Sequence, residues 1–269
     1  MSELLLLTDV SKSYRRGSQD LRVLQGASLK VGAGEVVCVL GSRGQGKTTL
    51  LRIAAGMESA DAGLVSFDGQ NIAALSDRAL SHLLGTRIAW AGKSGPELPI
   101  RMLDYVEMPL LAREGGRAAQ WWRWMRRGPE RRRSTATVDA RARAALERVG
   151  APGCADQLWE SMSDWERALV EIAQAIAGEP ALLLVDDLTD ALGMRETDEL
   201  TALLRTLSRE LGIGVLMSVS DPQATLLSDR IVSLAGGRLT PGPQSPPGNV
   251  IEFPDLSPSR RDAQRGGIS

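Results

Sequence analysis

Apolar positions along the chain come in short continuous runs rather than in one long stretch. Residues 4–10 (LLLLTDV) form the first run and residues 35–40 (EVVCVL) the second. The second is rich in β-branched residues and bounded by Gly34 and Gly41, which predicts a strand buried on both faces. Residues 181–187 (ALLLVDD) read as a similar strand ending in two carboxylates, and residues 212–219 (GIGVLMSV) as a third. Residues 231–237 predict a last strand and turn. Between these runs the period lengthens. Residues 165–177 and 197–211 carry the periodic apolar pattern of helices, and TTLLRIAAGM after the 41–46 loop has helical character that ends near Gly56. The first ninety residues otherwise read as strands and turns. Strands alternating with helices predict an α/β fold with a mainly parallel sheet, whose ligand lies at the strands' carboxyl ends.

Residues 93–160 have a different texture: they are mostly helical in pattern and contain a basic stretch. Residues 113–133 carry eight arginines against two glutamates, a local charge of +6. The whole chain has 32 Lys and Arg against 33 Asp and Glu, so the remainder carries −7. That balance excludes a uniformly basic nucleic-acid coat. With 269 residues, 43% of them apolar, the chain suits one α/β domain or a core plus a small subdomain, and wholesale disorder is excluded. No apolar run nears the ~20 residues that span a bilayer. The N-terminus does not read as a secretory leader, since an acidic residue precedes its apolar run and no small-residue cleavage site follows. Cys38 and Cys154 make no disulfide framework or metal cluster, which fits a reducing cytosol. His82 is the single histidine, so any scheme that needs two is excluded. Residues 240–269 are rich in Pro, Gly and Ser and are expected to lack fixed structure, although IEF at 251–253 could dock.

Candidate chemistry concentrates at residues 41–48, GSRGQGKT, which fit G-x-x-x-x-G-K-[ST]. In such a loop the glycines let the backbone of Gly41, Ser42, Arg43, Gly44, Gln45 and Gly46 wrap around phosphates with its N–H groups pointing inward. The following helix, through Thr49, aims its positive end at the same place. Lys47 can reach the β- and γ-phosphates, and the Thr48 hydroxyl can ligate Mg²⁺. The plainer alternative is a glycine turn before a core helix, but strand before and helix after are both present. Asp186, at the end of LLLV, is the candidate second Mg²⁺ anchor. A carboxylate at a helix N-terminus would look the same. Adjacent strand positions point to opposite faces, so Asp186 and Asp187 are expected to diverge, one toward metal and one toward an attacking water.

From about residue 4 to residue 239 the chain resembles the ATP-binding subunits of ABC transporters. VLQGASLKVGAGEVVCVLG resembles the family's lead-in to the phosphate loop, and AAGMESADAGLVSFDGQNI the stretch after it. DYVEMPLL, at 104–111, resembles the subgroup serving lipoprotein release, macrolide export and cell-division complexes. The resemblance implies a P-loop NTPase (ABC-type) core with an N-terminal antiparallel β-subdomain, and a helical subdomain at about 93–160. It implies ATP and Mg²⁺ as cofactors, residues 1–239 as the ATP-binding domain, and 240–269 as a tail. Tyr14 sits where the family places an aromatic that stacks on adenine, although a tyrosine near a strand end also serves as core. The resemblance further implies a permease in the membrane, a second ABC ATPase subunit paired head to tail, and a place on the cytoplasmic face of the plasma membrane through that permease.

Several family motifs depart from pattern. Counting back from Pro180 puts Met162, Ser163, Asp164, Trp165 and Glu166 at the signature L-S-G-G-Q, where only the serine survives. There Asp164 would face the opposite subunit's γ-phosphate. Two unit charges at ~5 Å and an effective ε of 20 repel by about 3 kcal/mol. Gly92 stands at the Q-loop glutamine, Asp187 at the catalytic glutamate, Ser220 at the switch histidine and Gly193 at the D-loop aspartate. Asp187 is one methylene shorter than glutamate, so the water it holds can sit over ~1 Å from a productive position, an error that can cost ~10²-fold. By the resemblance, the retained residues are those expected to bind MgATP, and the changed ones those expected to couple binding to hydrolysis. Two functions follow: a coupling subunit with impaired hydrolysis, or a pseudo-ATPase in which ATP is an assembly ligand. DNA-repair and translation ATPases of ABC type are disfavoured, because the chain has neither long coiled coils nor a second ATPase domain. The insert at about 113–134 interleaves Trp121, Trp122 and Trp124 with Arg123, Arg126 and Arg127. It reads as a solvated loop, as a contact to anionic lipid or permease, or as a stacking surface for nucleic acid, which the chain's neutrality argues against.

Overall fold

A computed structural model describes residues 3–17, 19–93, 95–115, 136–225 and 227–242. Two sheets organise them. The first is antiparallel: β1 (Glu3–Arg16) pairs with β2 (Gln19–Gly32) and β4 (Ala62–Phe67), and β5 (Gln70–Asn71) completes the order β2-β1-β4-β5. β1 runs 14 residues, well past the apolar run at 4–10. Its alternation is broken by register shifts between Leu7 and Val10 and between Val10 and Lys12, and Asp9 takes a positive φ there of 51°.

The second sheet holds β3 (Val36–Leu40), β6 (Ile88–Ala91), β7 (Leu182–Val185), β8 (Gly214–Val219), β9 (Arg230–Ala235) and β10 (Arg238–Pro241), in the order β10-β9-β3-β8-β7-β6. Every neighbouring pair is parallel except β9 and β10. The expected α/β architecture with a mainly parallel sheet and an N-terminal antiparallel subdomain is what is found. β10 carries Thr240 and Pro241 into ordered pairing with Ser233 and Val232, two residues inside the segment expected to lack fixed structure.

Continuous apolar strands are explained by two covered faces. Val37 and Val39 of β3, with Leu182 and Leu184 of β7 and Leu216 of β8, face the core shared with the first sheet and with α1 (Lys47–Ala54). Val36 and Cys38, with Leu183 and Val185, and with Val215, Met217 and Val219, face the other way. There they meet α3 (Met102–Gly115), α4 (Ala136–Arg148), α5 (Asp164–Ile176) and α6 (Met194–Leu211). α2 (Asp77–Thr86) was not anticipated among the strands and turns of the first ninety residues. No residue in it is fully buried, so its apolar signal is weak, but Ser76 caps it by accepting from the Ala79 N–H.

α1 begins at the phosphate loop and is clasped between the sheets by Leu50, Leu51 and Ile53, all essentially inaccessible. Leu50→Ala is expected to lower unfolding free energy by about 2–5 kcal/mol. Chemical denaturation checks this; a loss below ~1 kcal/mol would show that α1 is not held by that core.

Candidate functional site

The loop between β3 and α1 sits at the carboxyl ends of β3, β7 and β8. Gly46 takes φ 97°, and a Cβ there would lie 2.5 Å from Val23 Cγ1, so both conformation and space demand glycine. The Gln45 side chain accepts from the Gly236 N–H at 3.0 Å, tying the loop to the β9–β10 turn. α1 has no side-chain N-cap and no acidic residue in its first turn. Its N-terminus therefore keeps a positive character that an anion can satisfy.

Lys47 is the centre of the loop. Its side chain is 3% exposed, and its ammonium donates to Gly41 O at 2.8 Å, Ser42 O at 3.3 Å and Ser220 Oγ at 3.0 Å. Asp187 Oδ1 lies 3.7 Å away. An ammonium has three protons, and three oxygens take them.

The Thr48 hydroxyl donates to Asp186 Oδ1 at 3.0 Å, so the two expected metal anchors meet although they are 138 positions apart. Ser218 Oγ stands 2.8 Å from the same oxygen and 3.1 Å from Asp187 Oδ1, and it accepts from the Asp187 N–H at 2.9 Å. The two carboxylates thus share one hydroxyl and do not diverge as expected. β7 ends at Val185, and Asp187 is left-handed at φ 50°, so strand alternation no longer governs where it points. Burial pushes the Asp186 carboxyl up, with the Asp187 charge adding to it and the hydrogen bonds from Ser218 and Thr48 opposing. A hydroxyl and a carboxylate oxygen, side by side in a polar cleft, are hard donors that fit Mg²⁺.

Tyr14 on β1 is partly exposed and reaches this region: its hydroxyl lies 3.3 Å from Thr49 Oγ1 and donates to Glu58, and Lys12 Nζ stands 5.5 Å from its ring centre. It is not a core residue. Arg43 leaves the loop in another direction and pairs with Asp190 at 3.1 Å.

The residues expected at the signature are built as a helix start. Ser163 caps α5 in a capping box: it accepts from the Glu166 N–H at 3.2 Å, while its own N–H and hydroxyl donate to Glu166 Oε2 at 2.9 Å. Asp164 pairs with Arg167 at 3.2 Å, and Trp165 packs partly buried against the helical core. Gly193 caps α6 without a side chain, with Glu196 reaching back to its N–H at 2.9 Å.

Gly92 follows β6, and a Cβ there would stand 2.9 Å from Trp90 Nε1, so a glutamine would first have to displace that indole. The loop is fastened instead by Glu171 of α5, which accepts from the Gly95 N–H at 3.0 Å and from Tyr105 Oη at 3.0 Å. Burial pushes the Glu171 carboxyl up to about 7, although bonds from Tyr105, Gly95 and Gly92 oppose the shift. Sequence reasoning passed over Ser218 and Glu171. Each had a signal: a serine inside an apolar strand, and a carboxylate inside the apolar run VEIAQAIA. The residues of the Trp/Arg insert, Trp121, Trp122 and Trp124 among them, lie outside the described residues, as does IEF at 251–253. Among the described residues no helix is long and apolar enough to cross a membrane.

The family described as ABC transporter matches residues 24–190. The lipoprotein-releasing system ATP-binding protein LolD of Cereibacter sphaeroides is 33% identical over 241 residues, covering 89% of this chain and 100% of that protein. LolD of Chromohalobacter salexigens is 32% identical, covering 89% of this chain and 94% of its own length. The macrolide export ATP-binding/permease protein MacB of Syntrophobacter fumaroxidans is 30% identical, covering 95% of this chain and 33% of that longer protein. Among solved structures, the ATP-binding cassette MJ0796, dimeric in a post-hydrolysis state with ADP and Pi, superposes with a TM-score of 0.75 at 25% identity, covering 88% of this chain and 96% of that one.

Glu171 sets a pH dependence. Its carboxyl holds a proton to about pH 7 when folded, whereas the unfolded chain releases it near the usual ~4.3. The native state binds more protons in that window, so this group's contribution falls as pH rises through it, by up to about 3 kcal/mol. Glu171→Gln removes the contribution. Denaturation at pH 5 and pH 8 should show the stability gap between wild type and variant moving in the variant's favour at pH 8; a gap that does not move contradicts the placement of Glu171.

Proposed function

The chain belongs to the ABC transporter family, and on that premise we propose that it is the ATP-binding subunit of an exporter-type membrane complex, with hydrolysis impaired. The observation that carries this is the meeting of Thr48 and Asp186 at 3.0 Å beside the buried Lys47. In this reading Lys47 exchanges part of its carbonyl and Ser220 contacts for β- and γ-phosphate oxygens, the N–H groups of residues 41–49 cradle the rest, and Tyr14 stacks on the base. Thr48 and Asp186 would hold Mg²⁺, which when bound neutralises charge on the phosphates. The exporter class is proposed from the likeness to the LolD and MacB relatives. The same likeness supports a permease partner, and with it we propose a head-to-tail pairing with a second ATPase subunit and a place on the cytoplasmic membrane face. Residues 1–239 would then be the ATP-binding domain, with the helical subdomain expected at about 93–160 turned to the permease.

Impaired hydrolysis is supported by how the departing positions are occupied. Asp187 is engaged by Ser218 and stands 3.7 Å from Lys47, so it is a poor group to orient a water. Ser220 is engaged by Lys47. Ser163 uses its hydroxyl on its own helix cap, and Asp164, paired with Arg167, stands in place of a glycine whose backbone would meet a partner's γ-phosphate. The pseudo-ATPase reading is the limit of this trend: ATP bound at a thousandfold excess over its dissociation constant would stabilise the bound assembly by about 4 kcal/mol without turnover.

Lys47→Ala is expected to reduce binding of labelled MgATP below detection, and the wild-type subunit alone should turn over below ~1 s⁻¹, the low end of ordinary enzymes. Binding retained by Lys47→Ala would overturn the phosphate-loop reading. Turnover at or above that rate would overturn the impaired-hydrolysis reading.

A further inference from the structure

The phosphate loop leans on a turn that the reading above does not use. The loop is held at its start, where the Gly41 N–H donates to Val219 O at 3.1 Å, and at its end, where α1 begins. Between those points Gln45 is flanked by Gly44 at φ 80° and Gly46 at φ 97°, so the backbone on both sides of it is left-handed. Neither neighbour has a side chain to fix that conformation, so this stretch depends on what Gln45 holds. What it holds is the Gly236 N–H, on the turn between β9 and β10 and 191 positions away. That turn is fastened in its place by β2. Gln25 donates its backbone N–H to Gly237 O at 2.7 Å and its side-chain Nε2 to Gly236 O at 3.0 Å. Gly236 is exposed, with its carbonyl on Gln25 and its N–H on Gln45. A continuous path of contacts therefore runs from β2, through an exposed turn, to the middle of the phosphate loop.

We propose that Gln45 is a positioning residue, and that the β9–β10 turn is a lever on nucleotide affinity acting through it. This assignment rests on the phosphate-loop reading. Backbone N–H groups that converge on one anion bind best when they already stand in place, because ordering a loop at the moment of binding costs affinity. Gln45 meets that need from outside the cradle, since its amide oxygen is taken by the turn. By reciprocity, anything that shifts the turn changes nucleotide affinity, and bound nucleotide steadies the turn. The contact supports the loop as a whole rather than any one phosphate, so ATP and ADP are affected alike.

The test is calorimetric titration of the full chain with MgATP and with MgADP, for wild type, Gln45→Met, Gln25→Met and the double variant. Methionine keeps the length of glutamine and removes its amide. Both positions lie outside the two apolar cores, so the fold survives the changes. Gln45→Met should lose about fivefold in affinity for both nucleotides. Gln25→Met should lose about threefold in the wild-type background and nothing further once Gln45 is replaced, because the turn then has no hold on the loop. A purely structural role for the two residues would lower thermal stability and leave both affinities within about twofold of wild type; that result overturns the proposal. So does a loss confined to ATP, an unaffected Gln25→Met, or a pair of losses that multiply in the double variant. Lys47→Ala keeps the two levels apart. If it still binds nucleotide, the phosphate-loop reading falls; if it does not, while Gln45→Met binds like wild type, only the role of Gln45 falls.

Discussion

An ammonium group stripped of water is costly to bury, by several kcal/mol unless oxygens replace the lost hydration. Lys47 is in that position, with a side chain 3% exposed, and the rest of the site can be understood as the means of keeping it there. Its three acceptors come from two places: the carbonyls of Gly41 and Ser42 just beyond β3, and the hydroxyl of Ser220 just beyond β8. Asp187, beyond β7, supplies the nearby negative charge. Those elements converge only because β3, β8 and β7 are adjacent, parallel and end together. That arrangement in turn needs both faces of the sheet covered, by the antiparallel sheet and α1 on one side and the helical layer on the other.

What the sequence discloses depends on how local the physics is. GSRGQGKT is contiguous, and its glycines, lysine and threonine act through the backbone they sit in, so the loop and the helix after it are legible from eight letters. The same holds for β3, β7 and β8, whose continuous apolar runs reveal burial on both faces. β1 and β2 are harder. Their 14-residue arms are interrupted by bulges and charged positions, so only residues 4–10 stand out. The relation of Asp186 to Asp187 is harder still: the alternation rule fails one residue past the strand end, where Asp187 turns left-handed. Glu171 and Ser218 do show locally, as polar residues inside apolar runs, but the groups they act on lie far away in the chain, and no local pattern names those.

The positions that the resemblance reads as departing from family pattern share a feature: each is engaged or crowded within the chain. A helix cap takes Ser163, an indole crowds Gly92, Glu196 closes the start of α6 at Gly193, and Lys47 takes Ser220. Under the proposed function, the loops that would couple nucleotide to a partner are satisfied within the chain, while the loop that grips phosphate keeps an uncapped helix start. On that proposal, holding a nucleotide and responding to it would be separated in one fold.

The most direct measurement is an experimental structure of the full chain with a non-hydrolysable triphosphate and Mg²⁺. The prediction is density for the β- and γ-phosphates inside residues 41–48, with Lys47 moved onto them and the cation between Thr48 and Asp186. Nucleotide bound elsewhere, or Lys47 still closed on Gly41, Ser42 and Ser220 with the loop empty, would contradict it.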